Sequence, residues 1–373
     1  MKTPKLRIAL VGPLPPPAGG MANQTLQLAR LLREEGASVE LIQVNRPYQP
    51  AWIGKIKGVR ALFRLLPYLL HLWRASRKVD LFHVMANSGW SWHLFATPAV
   101  WIARLAGVPV VVNYRGGEAD AFFEKSFALV KPTLKRADAI VVPSGFLENV
   151  FGKRAVSTHV VPNIIDLGRF RSEAKHGPRP FSHAPCILVA RNLEPIYDNA
   201  TALRAFHIVK NTFPGARLVV TGTGPQKKEL EELARELGVA EAVTFTGHVK
   251  NEDMARLYRE ADVMVNPSLA DNMPISVLES LASGVPVVST NVGGVPYLVE
   301  HDVTALLVPV QNPAAMADAI LTLLADPEKA DSLRKVGAAS VARYSWPHVR
   351  TRLFGVYESV LSTGCRLADG PGE

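Results

Sequence analysis

The chain has 373 residues, 48% of them apolar and 20% charged, which excludes disordered and fibrous classes and suits two globular domains. Cys186 and Cys365 are the only cysteines, too few for a disulfide framework or a Cys-rich zinc site, so a reducing cytosol is expected. The net charge of +9 is uneven: residues 1–165 hold 21 Lys/Arg against 9 Asp/Glu, a net of +12, while the remainder holds 21 against 24, a net of −3. The first half is therefore suited to an anionic partner, whether a membrane surface, a nucleic acid or a phosphorylated substrate.

Short apolar runs alternate with amphipathic stretches along the whole chain. Arg7–Val11 reads as a buried strand, cut by Gly12-Pro13 and so too short for the apolar region of a signal peptide. A helix over Asn23–Glu35 follows, with Leu26, Leu28, Leu31 and Leu32 on its apolar positions and Gly36 closing it. Further strands are expected at Val39–Val44, Leu81–Met85, Val108–Asn113, Ala139–Val142 and His159–Val161. The most apolar stretch, Leu94–Val112, is broken by Pro98, Arg104 and Pro109, so no spanning helix is expected there. Asp166–Pro185, rich in Arg, Pro, His and Ser, reads as a linker.

The pattern then restarts, with strands expected at Cys186–Ala190, Arg217–Thr221, Val243–Thr246, Val263–Asn266, Val285–Ser289 and Ala305–Val308. Near-continuous Val/Ile runs joined by helices imply parallel sheets covered on both faces. The expected fold is thus α/β, two doubly wound Rossmann-like domains facing each other across a cleft. Ligands in such sheets bind beyond the carboxyl ends of the strands.

Five features fall at those ends. Gly19-Gly20 before the first helix would let backbone N–H groups approach a phosphate or sugar, although the dinucleotide pattern G-x-G-x-x-G is absent. Asn113–Glu118, containing Arg115, suits a cleft floor or a surface loop with an internal salt bridge. Arg191, directly after an apolar strand, suits a phosphate through two parallel N–H bonds. Gly222 and Gly224 permit a tight turn.

The fifth feature is the most specific: Asp271-Asn272-Met273-Pro274-Ile275-Ser276-Val277-Leu278-Glu279, followed by Ser-Leu-Ala-Ser-Gly-Val-Pro-Val-Val. Pro274 fits the first position of a short helix that Gly284 closes. Asp271 on the loop and Glu279 inside the helix can border one pocket. A carboxylate there suits paired sugar hydroxyls, and the helix N-terminus suits a diphosphate. The plainer alternatives are that Asp271 caps the helix and that Glu279 is a solvated helix charge.

Asp271-x7-Glu279 and the run after it resemble the E-x7-E signature of retaining GT-B glycosyltransferases, in particular glycosyltransferase family 4. The likeness extends in order through Gly19-Gly20, Val161-Pro-Asn-Ile-Ile-Asp166, Arg191, Gly222-Thr-Gly-Pro225, Phe245-Thr-Gly-His-Val249, Ala261-Asp-Val263 with Asn266-Pro-Ser268, Gly293-Gly294-Val-Pro296, Thr304-Ala-Leu-Leu-Val-Pro309 and Tyr344-Ser-Trp346 with Val349 and Tyr357. The resemblance implies an acceptor-binding domain at residues 1–168, joined by a last helix near 347–365 that crosses back to it. A nucleotide-sugar domain is implied at 183–346.

The resemblance also implies roles. Glu279 would bind the ribose of a UDP- or GDP-linked sugar and Asp271 would sit by the sugar. Gly222, Gly224 and Val249 would line the nucleotide, while Arg191, Gly19 and Gly20 would face the diphosphate. Asn272, Met273, Ile275 and Ser276, at the start of the Glu279 helix, complete the expected donor set. Arg115 stands where the family often has a histidine; since a guanidinium cannot act as a base, it would serve as a charge clamp. Asp271 replaces a glutamate, Pro274 a glycine and Tyr197 a lysine of the family pattern. No metal or resident cofactor is expected, and leaving-group charge would be met by Arg191 and helix-terminal N–H groups.

From Glu40 to Asp80 there is no acid, but there are eight bases interleaved with Trp52, Ile53, Phe63, Leu66, Leu70 and Trp73. Residues 52–78 therefore suit either an anionic membrane surface or a core-packed helix with a solvated basic face; on the first reading the protein is expected in the cytoplasm, peripherally on the inner leaflet, with access to a lipid-linked saccharide acceptor. No nucleic-acid module is present in the sequence. The expected function is sugar transfer in cell-envelope or exopolysaccharide synthesis. The alternatives are a sugar-nucleotide epimerase or phosphorylase of the same fold, and a protein that binds a sugar nucleotide without turnover.

Overall fold

A computed structural model describes residues 5–16, 19–48, 52, 60–170 and 184–368. The first of its two units holds six strands: β1 (Arg7–Gly12), β2 (Ser38–Gln43), β3 (Leu81–Ala86), β4 (Val110–Tyr114), β5 (Ala139–Val142) and β6 (His159–Val160). All neighbours pair in parallel, in the order β2-β1-β3-β4-β5-β6. Parallel strands covered on both faces are apolar throughout rather than alternating, and β3, β4 and β5 are buried along their whole length. Two polar residues break that pattern, His83 on β3 and Asn113 on β4, both essentially inaccessible.

The second unit repeats the plan with β7 (Cys186–Ala190), β8 (Arg217–Thr221), β9 (Val243–Gly247), β10 (Val263–Asn266), β11 (Val287–Thr290) and β12 (Leu306–Val308). Their order, β12-β11-β10-β7-β8-β9, is the doubly wound Rossmann order, in which the chain reverses direction across the sheet between β7 and β10. Both sheets bear aspartates at their amino ends that receive a neighbouring strand's N–H: Asp80 from Arg7, Asp138 from Val110 and Asp262 from Cys186, each at 2.8 Å. The carboxyl ends are thereby left for ligand chemistry.

Most expected strands match to within a residue or two. The largest shifts are β4, expected from Val108 and observed from Val110, and β11, expected from Val285 and observed from Val287. Gly284 adopts φ +68°, and the Val285 N–H returns to the Ser280 carbonyl at 3.0 Å to close the preceding helix, so sheet pairing starts only after Pro286. The first helix spans Gly20–Glu34, starting three residues before the expected Asn23.

The units divide between Ile164 and Ile165, four residues before the expected end of the first domain at 168. Ile165 and Phe170 are buried in the second unit's core with Tyr258, Val277 and Leu278, which draws the start of the expected linker into that unit. Residues 171–183 of that linker lie outside the described residues. The last helix, Trp346–Ala368, belongs from Val349 onward to the first unit.

Candidate active site

In the second unit the expected residues converge at the carboxyl ends of β7 and β10, where the strand order reverses. Arg191 follows β7, and its Nε donates to Asn266 Oδ1 at 2.7 Å, while its terminal nitrogen pairs with Asp271 Oδ2. Both side chains of this pair are largely buried. Tyr197 lies beneath the guanidinium, 5.0 Å from ring centroid to Arg191 Cζ, so the family's lysine is replaced by an aromatic face. Asp271 does not cap the following helix; Pro274 holds the N-cap and Ile275 opens the helix, one residue later than expected.

Asn266 belongs to the family likeness but has no expected site role, yet it organises the residues around Arg191. Its Oδ1 also accepts from Ser268 Oγ at 2.8 Å, and its Nδ2 donates to Ser289 Oγ at 2.9 Å. Thr290 Oγ1 donates to the Ser268 carbonyl at 2.6 Å. Asn266, Ser268, Ser289 and Thr290 are fully buried, and their mutual bonding removes the cost of placing polar groups there. The available signal was the polar triplet Asn266-Pro267-Ser268 directly after an apolar strand.

Two pairs of glycines permit the close backbone approaches around this network. A Cβ on Gly222, whose φ is +108°, would collide with the Arg191 carbonyl, and one on Gly224 with the Leu193 carbonyl. The turn after β8 is thus packed on the backbone that carries Arg191. Likewise a Cβ on Gly294 would collide with the Asn272 carbonyl, while its N–H donates to the Asp271 carbonyl at 2.8 Å. The Asp271 loop is held in place by the Gly293-Gly294 turn.

Glu279 lies on helix Ile275–Ala282, in the same unit. The hydroxyl of Tyr258, a fully buried ring packed edge-on against Phe170, donates to Glu279 Oε2 at 3.0 Å. Burial pushes the Glu279 carboxyl up to about 7, against the opposing pull of that hydrogen bond and of Arg169 and Arg191. It is therefore not a solvated helix charge. Tyr258 is itself held well above the usual phenol range, by burial first and by Glu279 second. Asn272, Met273 and Ser276 are buried, whereas Ile275 and Val249 retain partial exposure.

Gly19, Gly20 and Arg115 lie in the first unit. Gly19 is the N-cap of helix Gly20–Glu34, in extended backbone, and a Cβ there would meet nothing within 4 Å, so packing does not demand a glycine. Arg115 follows β4; its Nε donates to Asn113 Oδ1 at 3.0 Å and its NH1 to Asn163 Oδ1. A cavity lined by Val11, Met21, Val84, Met85 and Phe95, with Arg64 and Asn45 at its wall, occupies the point where this sheet's order reverses between β1 and β3.

The basic segment is described at Trp52 and from residue 60; residues 53–59 lie outside the described residues. Helix Arg60–Ala75 buries Tyr68, Leu72 and Ala75 against the sheet. Its opposite side exposes Phe63 (51%), Leu66 (64%), Leu70 (50%) and Trp73 (44%), an apolar stripe at helical spacing. No helix among the described residues is long and apolar enough to cross a membrane. No group of three His, Cys, Asp or Glu side chains among them is placed to hold a metal ion.

Two six-stranded parallel Rossmann-like units of this kind define the GT-B architecture. The fold is shared with the solved structures of HepE from Anabaena in complex with UDP (17% identity, TM-score 0.73, covering 95% of this chain and 100% of that one) and of sucrose-phosphate synthase from Thermosynechococcus elongatus (22%, 0.74, 96% and 100%). The chain matches the family model "Glycosyl transferases group 1" over residues 171–339 and "Glycosyltransferase Family 4" over residues 18–169. It is also 28% identical to the GDP-mannose-dependent alpha-(1-6)-phosphatidylinositol monomannoside mannosyltransferase of Mycobacterium tuberculosis, over 67% of this chain and 70% of that protein. The chain belongs to the group 1, family 4 glycosyltransferases.

Proposed function

We propose that the protein is a retaining, metal-independent hexosyltransferase that moves a sugar from a UDP- or GDP-linked donor to a saccharide acceptor carried on a lipid, in cell-envelope or exopolysaccharide assembly. The observation that carries this reading is the convergence of Arg191, Asp271 and Asn266 at the strand-order reversal of the second sheet, with Glu279 on the adjoining helix. The mannosyltransferase relative supports a GDP-linked donor by its name, and the UDP complex of the Anabaena neighbour supports a UDP-linked one.

In this reading Glu279 accepts the two ribose hydroxyls, and the start of helix Ile275–Ala282 points N–H groups at the diphosphate. Arg191 shares its guanidinium between Asp271 and a phosphate oxygen. As the bond from the anomeric carbon to the phosphate oxygen breaks, charge grows on the diphosphate and Arg191 neutralises it. Asp271 faces the sugar, whose anomeric carbon is taken by the acceptor hydroxyl on the face the diphosphate leaves while the hydroxyl proton passes to the departing phosphate oxygen, so the anomeric configuration is kept. In the first unit, Arg115 is a charge clamp. The test is a panel of radiolabelled UDP- and GDP-hexoses incubated with membrane extract, followed by analysis of the anomeric product. Tight nucleotide-sugar binding with no turnover on any acceptor would instead identify a sugar-nucleotide-binding protein.

The acceptor side rests on the exposed stripe of helix Arg60–Ala75 and on the basic excess of the first half of the chain. An apolar stripe flanked by Arg74, Arg77 and Lys78 suits the cytoplasmic leaflet of an anionic membrane, where a lipid-linked acceptor resides. Flotation with anionic and neutral vesicles at low salt tests this; equal recovery with both would refute it.

A further inference from the structure

Strand β3 reads Leu-Phe-His-Val-Met-Ala, and His83 is its one titratable side chain, fully buried. A histidine in that position is costly unless both ring nitrogens find partners. They do. Nδ1 lies 2.7 Å from the hydroxyl of Tyr357 on helix Trp346–Ala368, and Nε2 lies 3.0 Å from the side-chain nitrogen of Asn113 on β4. Asn113 in turn accepts through Oδ1 from Nε of Arg115, at 3.0 Å.

The sense of each bond follows from the arginine end. A guanidinium has donors only, so the Asn113 carbonyl must face Arg115 and its NH2 must face His83. Nε2 of His83 then has to carry the lone pair, the ring proton has to sit on Nδ1, and the Tyr357 oxygen has to accept it. Every donor runs in one direction, from Arg115 through Asn113 and His83 to Tyr357, an arrangement in which each bond polarises the next. An imidazolium does not fit, because its Nε2–H would oppose the Asn113 NH2. In keeping with this, burial, with Arg115 as the lesser cause, holds His83 down at about 3. Burial also lowers Arg115, to about 10, so the guanidinium stays charged at neutral pH.

We propose that His83, Asn113 and Tyr357 are positioning residues that aim the Arg115 guanidinium, so that the C-terminal helix sets the orientation of the charge clamp. This rests on the reading of Arg115 as a participant in sugar transfer. An arginine has several rotatable bonds, and anchoring Nε on one carbonyl and NH1 on Asn163 removes most of that freedom before substrate arrives. A tie that served only to fasten the helix to the sheet would not require the less common Nδ1–H tautomer.

The test uses the full chain labelled with 15N-histidine, the His83 signals being assigned by their loss in His83→Gln. Long-range 1H–15N spectra should show a neutral ring protonated on Nδ1, unchanged from pH 8 to pH 5. In Asn113→Asp, whose side chain only accepts, the proton should appear on Nε2. In Tyr357→Phe, release of UDP from UDP-glucose or GDP from GDP-mannose should lose about tenfold in kcat with donor KM within twofold, as expected for one buried hydrogen bond. An Nε2–H ring in the unaltered protein overturns the proposal, as does a Tyr357→Phe kcat equal to that of the parent while Arg115→Ala is impaired. Full activity in Arg115→Ala would instead remove the reading of Arg115 and the positioning role with it.

Discussion

Glu279→Gln should make the protein more stable while destroying its donor site. The carboxyl titrates at about 7 in the folded chain against an ordinary value of 4.5, so folding disfavours its ionised form. For such a raised group the stabilising proton is fully present below the unfolded value and is lost as pH climbs through the folded one. A shift of about 2.5 units at about 1.4 kcal/mol each leaves the ionised carboxylate costing roughly 3 kcal/mol above pH 8, and under about 1 kcal/mol at pH 5. Glutamine keeps an acceptor for the Tyr258 hydroxyl and carries no charge. Glu279→Gln should therefore raise the melting temperature of the second unit by roughly 6–12 °C at pH 8.5 and by no more than a few degrees at pH 5. Calorimetry at the two pH values measures it. An equal shift at both, or a loss of stability at pH 8.5, would refute the burial argument. The same variant should fail to bind UDP or GDP sugars by titration calorimetry, because its single acceptor oxygen, once it takes the Tyr258 hydroxyl, cannot also receive both ribose hydroxyls.

Donor binding to the unaltered protein should weaken about tenfold per pH unit below 7, since Glu279 must shed its proton to accept those hydroxyls; flat affinity from pH 5 to 8 would exclude this. Asn266→Ala strands Arg191 Nε and the Ser268 hydroxyl in a buried pocket and removes the donor to Ser289 Oγ, and should cost about 2–4 kcal/mol in denaturant unfolding as well as nearly all sugar transfer. Gly294→Ala drives its Cβ into the Asn272 carbonyl and must move the Asp271 loop, so a loss of about 1–3 kcal/mol and impaired donor hydrolysis are expected together. Leu66→Glu with Leu70→Glu, both on the exposed stripe, should leave the melting temperature within a degree or two yet abolish flotation with anionic vesicles.

Much of the candidate donor-side constellation was legible because it is local. Arg191, Asp271 and Glu279 each sit within a few residues of a strand end or helix start, and those positions follow from short apolar runs and from glycines. Asn266, Tyr258 and Ser289 were not legible as members of the site: each is an ordinary polar residue in an apolar setting, and its role comes from a partner 75, 21 or 23 positions away. The expected boundary at 168 missed for a related reason. By their neighbours in the chain Ile165 reads as the end of the first domain and Phe170 as linker, and both become core residues of the second unit only through residues such as Tyr258 and Leu278.

Periodicity and turn chemistry by themselves determined the twelve strands and their alternation with helices, since each is set by neighbours close in the chain, while the order of motifs along the chain carried the resemblance to the family. The strand orders, which decide where each sheet opens for a ligand, depend on which apolar faces meet, and strands of similar Val/Ile composition do not record that choice. The charge asymmetry was equally plain in the composition, but its setting was not: the fold turned Tyr68 and Leu72 inward and left Leu66 and Leu70 in solvent on the same helix. His83 makes the contrast sharpest. In the chain it is one histidine among ten, whereas in the fold Tyr357, 274 positions away, and Asn113 leave its ring a single compatible proton placement.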